Sequence, residues 1–132
     1  MKQDPEAIAI AYLDAVSKKD LGRIEALVAP DIRFVGPTRT IVGARDLLAA
    51  FRRIVAIHVR NEVVRVFTDG DEVCVIYDFV TDTVGAVPTI EWMRIEGGRI
   101  LSVNIYYDQV PWLKLREEIA ARAARAATQA TA

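Results

Sequence analysis

The chain changes its hydrophobic period once, near residue 59, and that change decides which class of fold is open to it. Before it, apolar residues recur at helical spacing, as in Ile8, Ala11, Tyr12, Ala15 and Val16, and again in Leu47, Leu48, Phe51, Ile54 and Val55. After it, the runs RNEVVRVF, EVCVIYDFVTD, TIEWMRI and RILSVNIYYD alternate and are rich in β-branched and aromatic residues. Helices first and strands last is the order of an α+β domain. We expect three helices, then a curved, mixed, mostly antiparallel sheet forming a cone around the long N-terminal helix, and a C-terminal helical tail.

Local signals place the boundaries. Asp4 can cap the first helix with Pro5 at its first position, and Asp20 can cap a short second helix carrying Ile24, Leu27 and Val28. The Ala29-Pro30-Asp31 segment reads as the turn that stops it, DIRFV as a short strand and GPTRT as a turn. Gly43 leads into the third helix, with Asp46 in its first turn, while Asp69-Gly70 and Gly97-Gly98 read as hairpin turns. The alanine-rich segment after Trp112 starts helical and offers little to bury at its end. The expected division is a domain over residues 1–112 and a partly frayed helical tail over 113–132.

With 132 residues, 52% of them hydrophobic, the chain can enclose a core with a cavity inside it. Seventeen Lys and Arg against eighteen Asp and Glu leave no basic surplus, so neither nucleic acid nor a membrane surface is expected as a partner. The N-terminus lacks a signal-peptide pattern and no apolar run reaches membrane-spanning length, so the expected location is cytoplasmic. One cysteine, Cys74, and one histidine, His58, form no metal-ligand cluster, and no glycine-rich phosphate loop follows a strand. A metal held by oxygen ligands alone stays open; otherwise no metal and no cofactor is expected, which leaves carboxylates and phenols as the groups able to do chemistry.

Asp78 interrupts the strand VCVIYDFV, where a buried carboxylate without a partner is expensive. Alternation groups Ile76, Asp78 and Val80 on one face of that strand and Val75, Tyr77 and Phe79 on the other, and both faces are apolar. On the next strand Glu91 shares a face with Met93 and Ile95, and on the last Val103 shares one with Ile105 and Tyr107. The expectation is a concave side built from these three groups of residues, an apolar cavity with Asp78 and Glu91 inside. The convex side would then show Tyr77, Phe79, Trp92 and Tyr106, an aromatic patch suited to homodimerisation through the outer sheet face.

The stretches AYLDAVSKKDLGRIEALVAPDIRFVGP, IVGARDLLAAF and DGDEVCVIYDFVTD through PTIEWMRIEGGRILSVNIYYDQVPW resemble the SnoaL-like, nuclear-transport-factor-2-like superfamily over about residues 4–112. That resemblance implies the cone fold, but the superfamily spans ketosteroid isomerases, epoxide hydrolases, dehydratases, polyketide cyclases and non-catalytic binding modules. By position, Tyr12 falls where the isomerases keep an oxyanion-hole tyrosine, and Glu91 where they keep a protonated aspartic acid. Gly36, before Pro37, stands where their general-base aspartate would be. The acidic and basic triad of the epoxide hydrolases is not reproduced either, since the matching strands offer Asp78 with Val80, and Asn104 with Ile105.

The candidate catalytic residues are therefore Asp78 as base or water-aligning group, Glu91 as neutral acid, and Tyr12 as oxyanion donor. Phe51, Ile76, Val80, Met93, Val103, Ile105 and Tyr107 are the candidate ligand-binding residues. A structural alternative stands beside each: an ion pair of Glu91 with Arg94 or Arg99, an Asp78 bonded to an arginine or a backbone amide or facing outward in a reversed register, a core Tyr12. His58 is expected at the surface, Cys74 as a small buried apolar residue, and Asp108 in the turn into the terminal helix. The expected function is cofactor-free acid/base chemistry of the isomerase, cyclase or epoxide-hydrolase type on a small apolar, oxygen-bearing molecule, with a non-catalytic binding module as the alternative.

Overall fold

Capping begins the structure as the sequence suggests. In the computed structural model, which describes residues 4–131, the Asp4 side chain accepts from the Glu6 amide at 3.1 Å and opens helix α1, Pro5–Ser17. Asp20 does the same for Arg23 at 3.1 Å and opens α2, Leu21–Leu27. The chain then enters β1, Val28–Val35, without the expected turn at Ala29-Pro30-Asp31. Proline is tolerated there because the β1–β6 pairing is broken between Val28 and Arg33. A short strand that the sequence did not announce, β2, Thr40–Val42, pairs with the end of β1. Helix α3, Ala44–Ile54, follows Gly43, whose φ of 94° suits a residue without a side chain.

Strands β3, His58–Asp69, β4, Glu72–Thr81, β5, Gly85–Glu96, and β6, Arg99–Tyr107, form the antiparallel run. With β1 and β2 they make one six-stranded sheet in the order β2-β1-β6-β5-β4-β3, mixed because β1 runs parallel to β6. The Asp69-Gly70 and Gly97-Gly98 turns close two of its hairpins, with positive φ at all three glycines. Helix α1 lies across the inner face, touching β3 through β6, and buries Ile8, Tyr12, Leu13 and Val16 there. Leu47, Leu48 and Phe51 of α3 join the same core. This is the cone-like α+β architecture expected from the order of periods.

The last helix, α4, Gln109–Thr131, is longer and better anchored than expected. Asp108 does hold the turn, accepting from the Val110 amide at 2.9 Å. Leu115 is fully buried in the common core, with Trp112 and Ile119 packed against it, so residue 112 marks no break in packing. Farther on, Arg122 donates to both oxygens of Asp82, at 2.9 and 3.1 Å, and so ties α4 to the β4–β5 connection. No helix among the described residues is long and apolar enough to cross a membrane.

Candidate functional site

Hairpin parity decides which side chains meet inside the cone. Three residues, 82–84, connect Thr81 to its partner Gly85, so odd-numbered positions of β4 pair with odd-numbered positions of β5: Tyr77 with Thr89, and Val75 with Glu91. Paired residues share a face. Glu91 therefore stands beside Tyr77 and Phe79, not beside Asp78. Between β5 and β6 a register shift at Arg94/Ile95 restores the same parity after the two-glycine turn and places Ile105 opposite Glu91 and Tyr107 opposite Thr89.

The consequence is a correction for β4. Asp78 pairs with Pro88 and Glu62 on the outer face of the sheet, half-buried, and does not line the cavity. Ile76 and Val80 lie on the same outer face and do not line it either. Alternation alone could not choose, because both faces of the strand are apolar. The loop length makes the choice by bringing in the larger rings of Tyr77 and Phe79. Cys74, with them on the outer face, is half-buried rather than part of the core. Met93 and Val103 point inward as expected but are fully buried beneath the cavity wall rather than part of it.

A cavity of about 400 Å³ opens between the sheet and helices α1, α3 and α4. Its size is that of pockets that hold drug-sized ligands. Of the sequence candidates, Tyr12, Glu91, Phe51, Ile105 and Tyr107 line it. The sequence reading missed Tyr77, Thr89 and Trp112, which line it too, together with Arg39, Arg53 and Arg116. The signal for Tyr77 was present in the three-residue connection. Trp112 belongs to a helix whose docking depends on Leu115, and nothing local announces that.

Glu91 is the chemical centre of this space. It is 3% exposed, and the Tyr77 hydroxyl donates to its Oε2 through a short hydrogen bond. Its Oε1 is buried with no hydrogen-bond partner among the described residues. Burial raises its pKa from the usual 4.5 to about 7, with the Tyr77 hydrogen bond pulling the other way. The salt bridge to Arg94 or Arg99 does not form: Arg94 pairs with Asp71 and Glu96, and Arg99 donates to the Val28 carbonyl at 3.0 Å. Tyr12 and Tyr77 are both pushed well above the ordinary phenol range, first by burial and then by the charge of Glu91, so both stay protonated donors.

Aromatic rings build the walls. Tyr12 meets Phe51 edge-on, with ring centroids 6.2 Å apart, and Trp112 packs between Phe79 at 5.6 Å and Tyr107 at 5.1 Å. Trp112 Nε1 is buried and unpartnered among the described residues, the second orphaned polar atom on a cavity-lining side chain. Two buried groups without partners at one cavity are what a polar ligand would satisfy. His58, expected at the surface, is buried instead: it stacks on Phe79 at 4.3 Å, and its Nε2 lies 2.9 Å from Asn61 Oδ1. Asn61 in turn donates to the Leu13 carbonyl, so this histidine joins β3 to α1 behind the cavity wall. No group of His, Cys, Asp and Glu among the described residues could hold a metal ion.

Solved structures share this architecture. A protein from Kribbella flavida DSM 17836 is 28% identical, with a TM-score of 0.76, covering 90% of this chain and 93% of its own. A protein of ketosteroid isomerase-like fold from Catenulispora acidiphila DSM 44928, in complex with trimethylamine, is 22% identical with a TM-score of 0.68 over 76% of this chain and 85% of its own. A candidate polyketide cyclase from Sinorhizobium meliloti is 23% identical with a TM-score of 0.69 over 79% of this chain and all of its own. No curated protein matches the chain. The SnoaL-like domain matches residues 9–103, from within α1 into β6, and takes in β1 to β5 and the first half of β6. The chain belongs to the SnoaL-like family.

Proposed function

We propose that the cavity takes a small, largely apolar, oxygen-bearing molecule and that Glu91 moves a proton on it with no cofactor taking part. The observation that carries this is the Glu91 carboxyl itself: buried at an apolar cavity, held by Tyr77 through one oxygen, its other oxygen unpartnered, and poised to titrate near pH 7. As a carboxylate, Glu91 takes a proton from a carbon beside a carbonyl and becomes the neutral acid. The substrate becomes an enolate, whose oxygen the Tyr12 hydroxyl and the Trp112 indole N–H are available to stabilise, each worth about 3 kcal/mol in a dry site. Returning the proton to another carbon completes an isomerisation; attack of the enolate carbon on a second carbonyl of the same molecule, whose C=O π bond opens and whose oxygen takes the proton back from Glu91, completes an aldol cyclisation. Opening an epoxide needs an acid and a base at once, which suits a cavity with one carboxyl less well.

The base assigned above to Asp78 thus passes to Glu91. Exchange of the α-hydrogens of 2-tetralone for deuterium, followed by NMR, tests this without knowledge of the natural substrate. Wild-type protein should accelerate exchange, with a rate rising through about pH 7, and Glu91→Gln should lower it by about two to four orders of magnitude. Equal exchange in the two proteins would remove Glu91 from the chemistry.

A non-catalytic binding module is the second reading. It is favoured by the placement of Asp78 outside and of Gly36 at the cavity wall where the isomerases keep a base. Tight binding of 2-tetralone with no exchange above the buffer rate would select it. We also propose that the outer sheet face pairs with a second copy of the chain. Phe67, Ile90, Trp92 and Tyr106 expose 37–58% of their surface in adjoining rows of β3, β5 and β6. Light scattering should find a dimer for the wild type and a monomer for Trp92→Glu, and a monomeric wild type would refute the pairing.

A further inference from the structure

We propose that the ligand of this cavity carries a carboxylate at the end away from Glu91, held at the mouth by Arg39, Arg53 and Arg116. The proposal rests on the reading above, that the cavity takes an apolar, oxygen-bearing molecule, and adds the chemistry of the ligand's other end.

Three separate elements bring these arginines to the lining of one cavity: Arg39 from the β1–β2 connection, Arg53 from α3 and Arg116 from α4. All three residues are exposed while Glu91 and Tyr12 are buried, so the arginines stand where the cavity meets solvent and the carboxyl stands at its floor. Five other arginines are ion-paired: Arg23 with Asp14, Arg60 with Glu62, Arg94 with Asp71 and Glu96, Arg122 with Asp82 and Glu118, and Arg125 with Glu118; Arg33, Arg45 and Arg52 are unpaired among the described residues but do not line the cavity. None of the three rim arginines makes an ion pair or a side-chain hydrogen bond among the described residues. Of the cavity-lining residues only Glu91 is acidic, and Asp46 faces the adjoining hollow beside Arg39 and Arg53, leaving the mouth with more positive than negative charge.

Such a rim fits a carboxylate for a reason of shape as well as charge, since the guanidinium fork binds its two oxygens together. Each exposed contact is weak alone, but an apolar wall behind three of them concentrates their field at the opening. Orientation follows. A ligand carboxylate is disfavoured at the buried floor, where it would be desolvated and where Glu91 in its proton-accepting carboxylate form repels it, so the ligand enters with its neutral oxygen first and leaves its anion outside. The buried Oε1 of Glu91 and Nε1 of Trp112 receive the leading end.

Two probes with one ring system separate the rim from the cavity: naphthalene-2-carboxylate and naphthalene-2-methanol, titrated by calorimetry into wild type and into the triple variant R39Q/R53Q/R116Q. These arginines are exposed and make no ion pair or side-chain hydrogen bond among the described residues, so the variant keeps the fold. The carboxylate should bind wild type about tenfold tighter than the alcohol at about 20 mM salt, with the preference falling to about twofold at about 300 mM salt and vanishing in the triple variant. The alcohol should bind both proteins alike. If alcohol and carboxylate bind wild type equally, the rim proposal fails and the cavity reading stands. A preference for the carboxylate that survives in the triple variant places the anion elsewhere and also overturns the rim. Binding of neither probe overturns both.

Discussion

Replacing Glu91 with Gln should reshape the pH dependence of stability in a way the structure lets one calculate. The carboxyl titrates near 4.5 in an unfolded chain and at about 7 when buried here. Between those values the unfolded state has released the proton and the folded state still holds it, so stability is lost as pH rises through this window. The gap of about 2.5 pKa units corresponds to about 3 kcal/mol, present in full below pH 4.5 and gone above about pH 8. Gln keeps the shape and an oxygen to accept from Tyr77 but cannot ionise. Wild type and Glu91→Gln should therefore match within about 1 kcal/mol at pH 5, while at pH 8.5 the variant should be more stable by about 3 kcal/mol, or about 10 °C in Tm for a chain of this size.

The assay is thermal unfolding by circular dichroism from pH 5 to pH 9, read as the difference between the two proteins. The difference matters because buried His58 acts the other way. Its pKa is lowered, chiefly by burial, so it binds a proton more readily when unfolded, and its contribution rises with pH through about 6.5. That contribution is common to both proteins and cancels. Tm curves that stay parallel across the range would show that Glu91 is solvated or permanently paired. The proton chemistry proposed here would then have no poised acid behind it.

Tyr77→Phe removes the donor that holds Glu91 Oε2 and lowers its pKa, so the midpoint of the same difference curve should move up by about one unit, and an unchanged midpoint would discount the hydrogen bond. Asp78→Asn alters only the outer face: exchange activity should stay within about twofold and stability within about 0.5 kcal/mol, and a tenfold loss of activity would return Asp78 to the mechanism. Leu115→Ala, under α4, should lower stability by about 2–5 kcal/mol in urea unfolding, whereas a loss below about 1 kcal/mol would mean that α4 is not docked.

The sequence alone determined what depends on local chemistry and period. Caps at Asp4 and Asp20, the glycine turns and the switch from helical to alternating spacing each act over a few residues, so the α+β order and the elements flanking the cavity were legible. So was Glu91, because its strand alternates cleanly between buried and exposed positions. The face of Asp78 is not legible, because β4 is apolar on both sides and only its pairing with β5 selects which rings turn inward. The burial of His58 is not legible for a related reason: the Phe79 ring stacked on it belongs to another strand, β4, and reaches it only through sheet pairing. Trp112 and the three rim arginines come from elements that share nothing in sequence and meet only when α3, α4 and the β1–β2 connection close over one end of the cone. Period and capping act within a segment, whereas a cavity is made of the distances between segments, and those distances arise only when the sheet and helices pack.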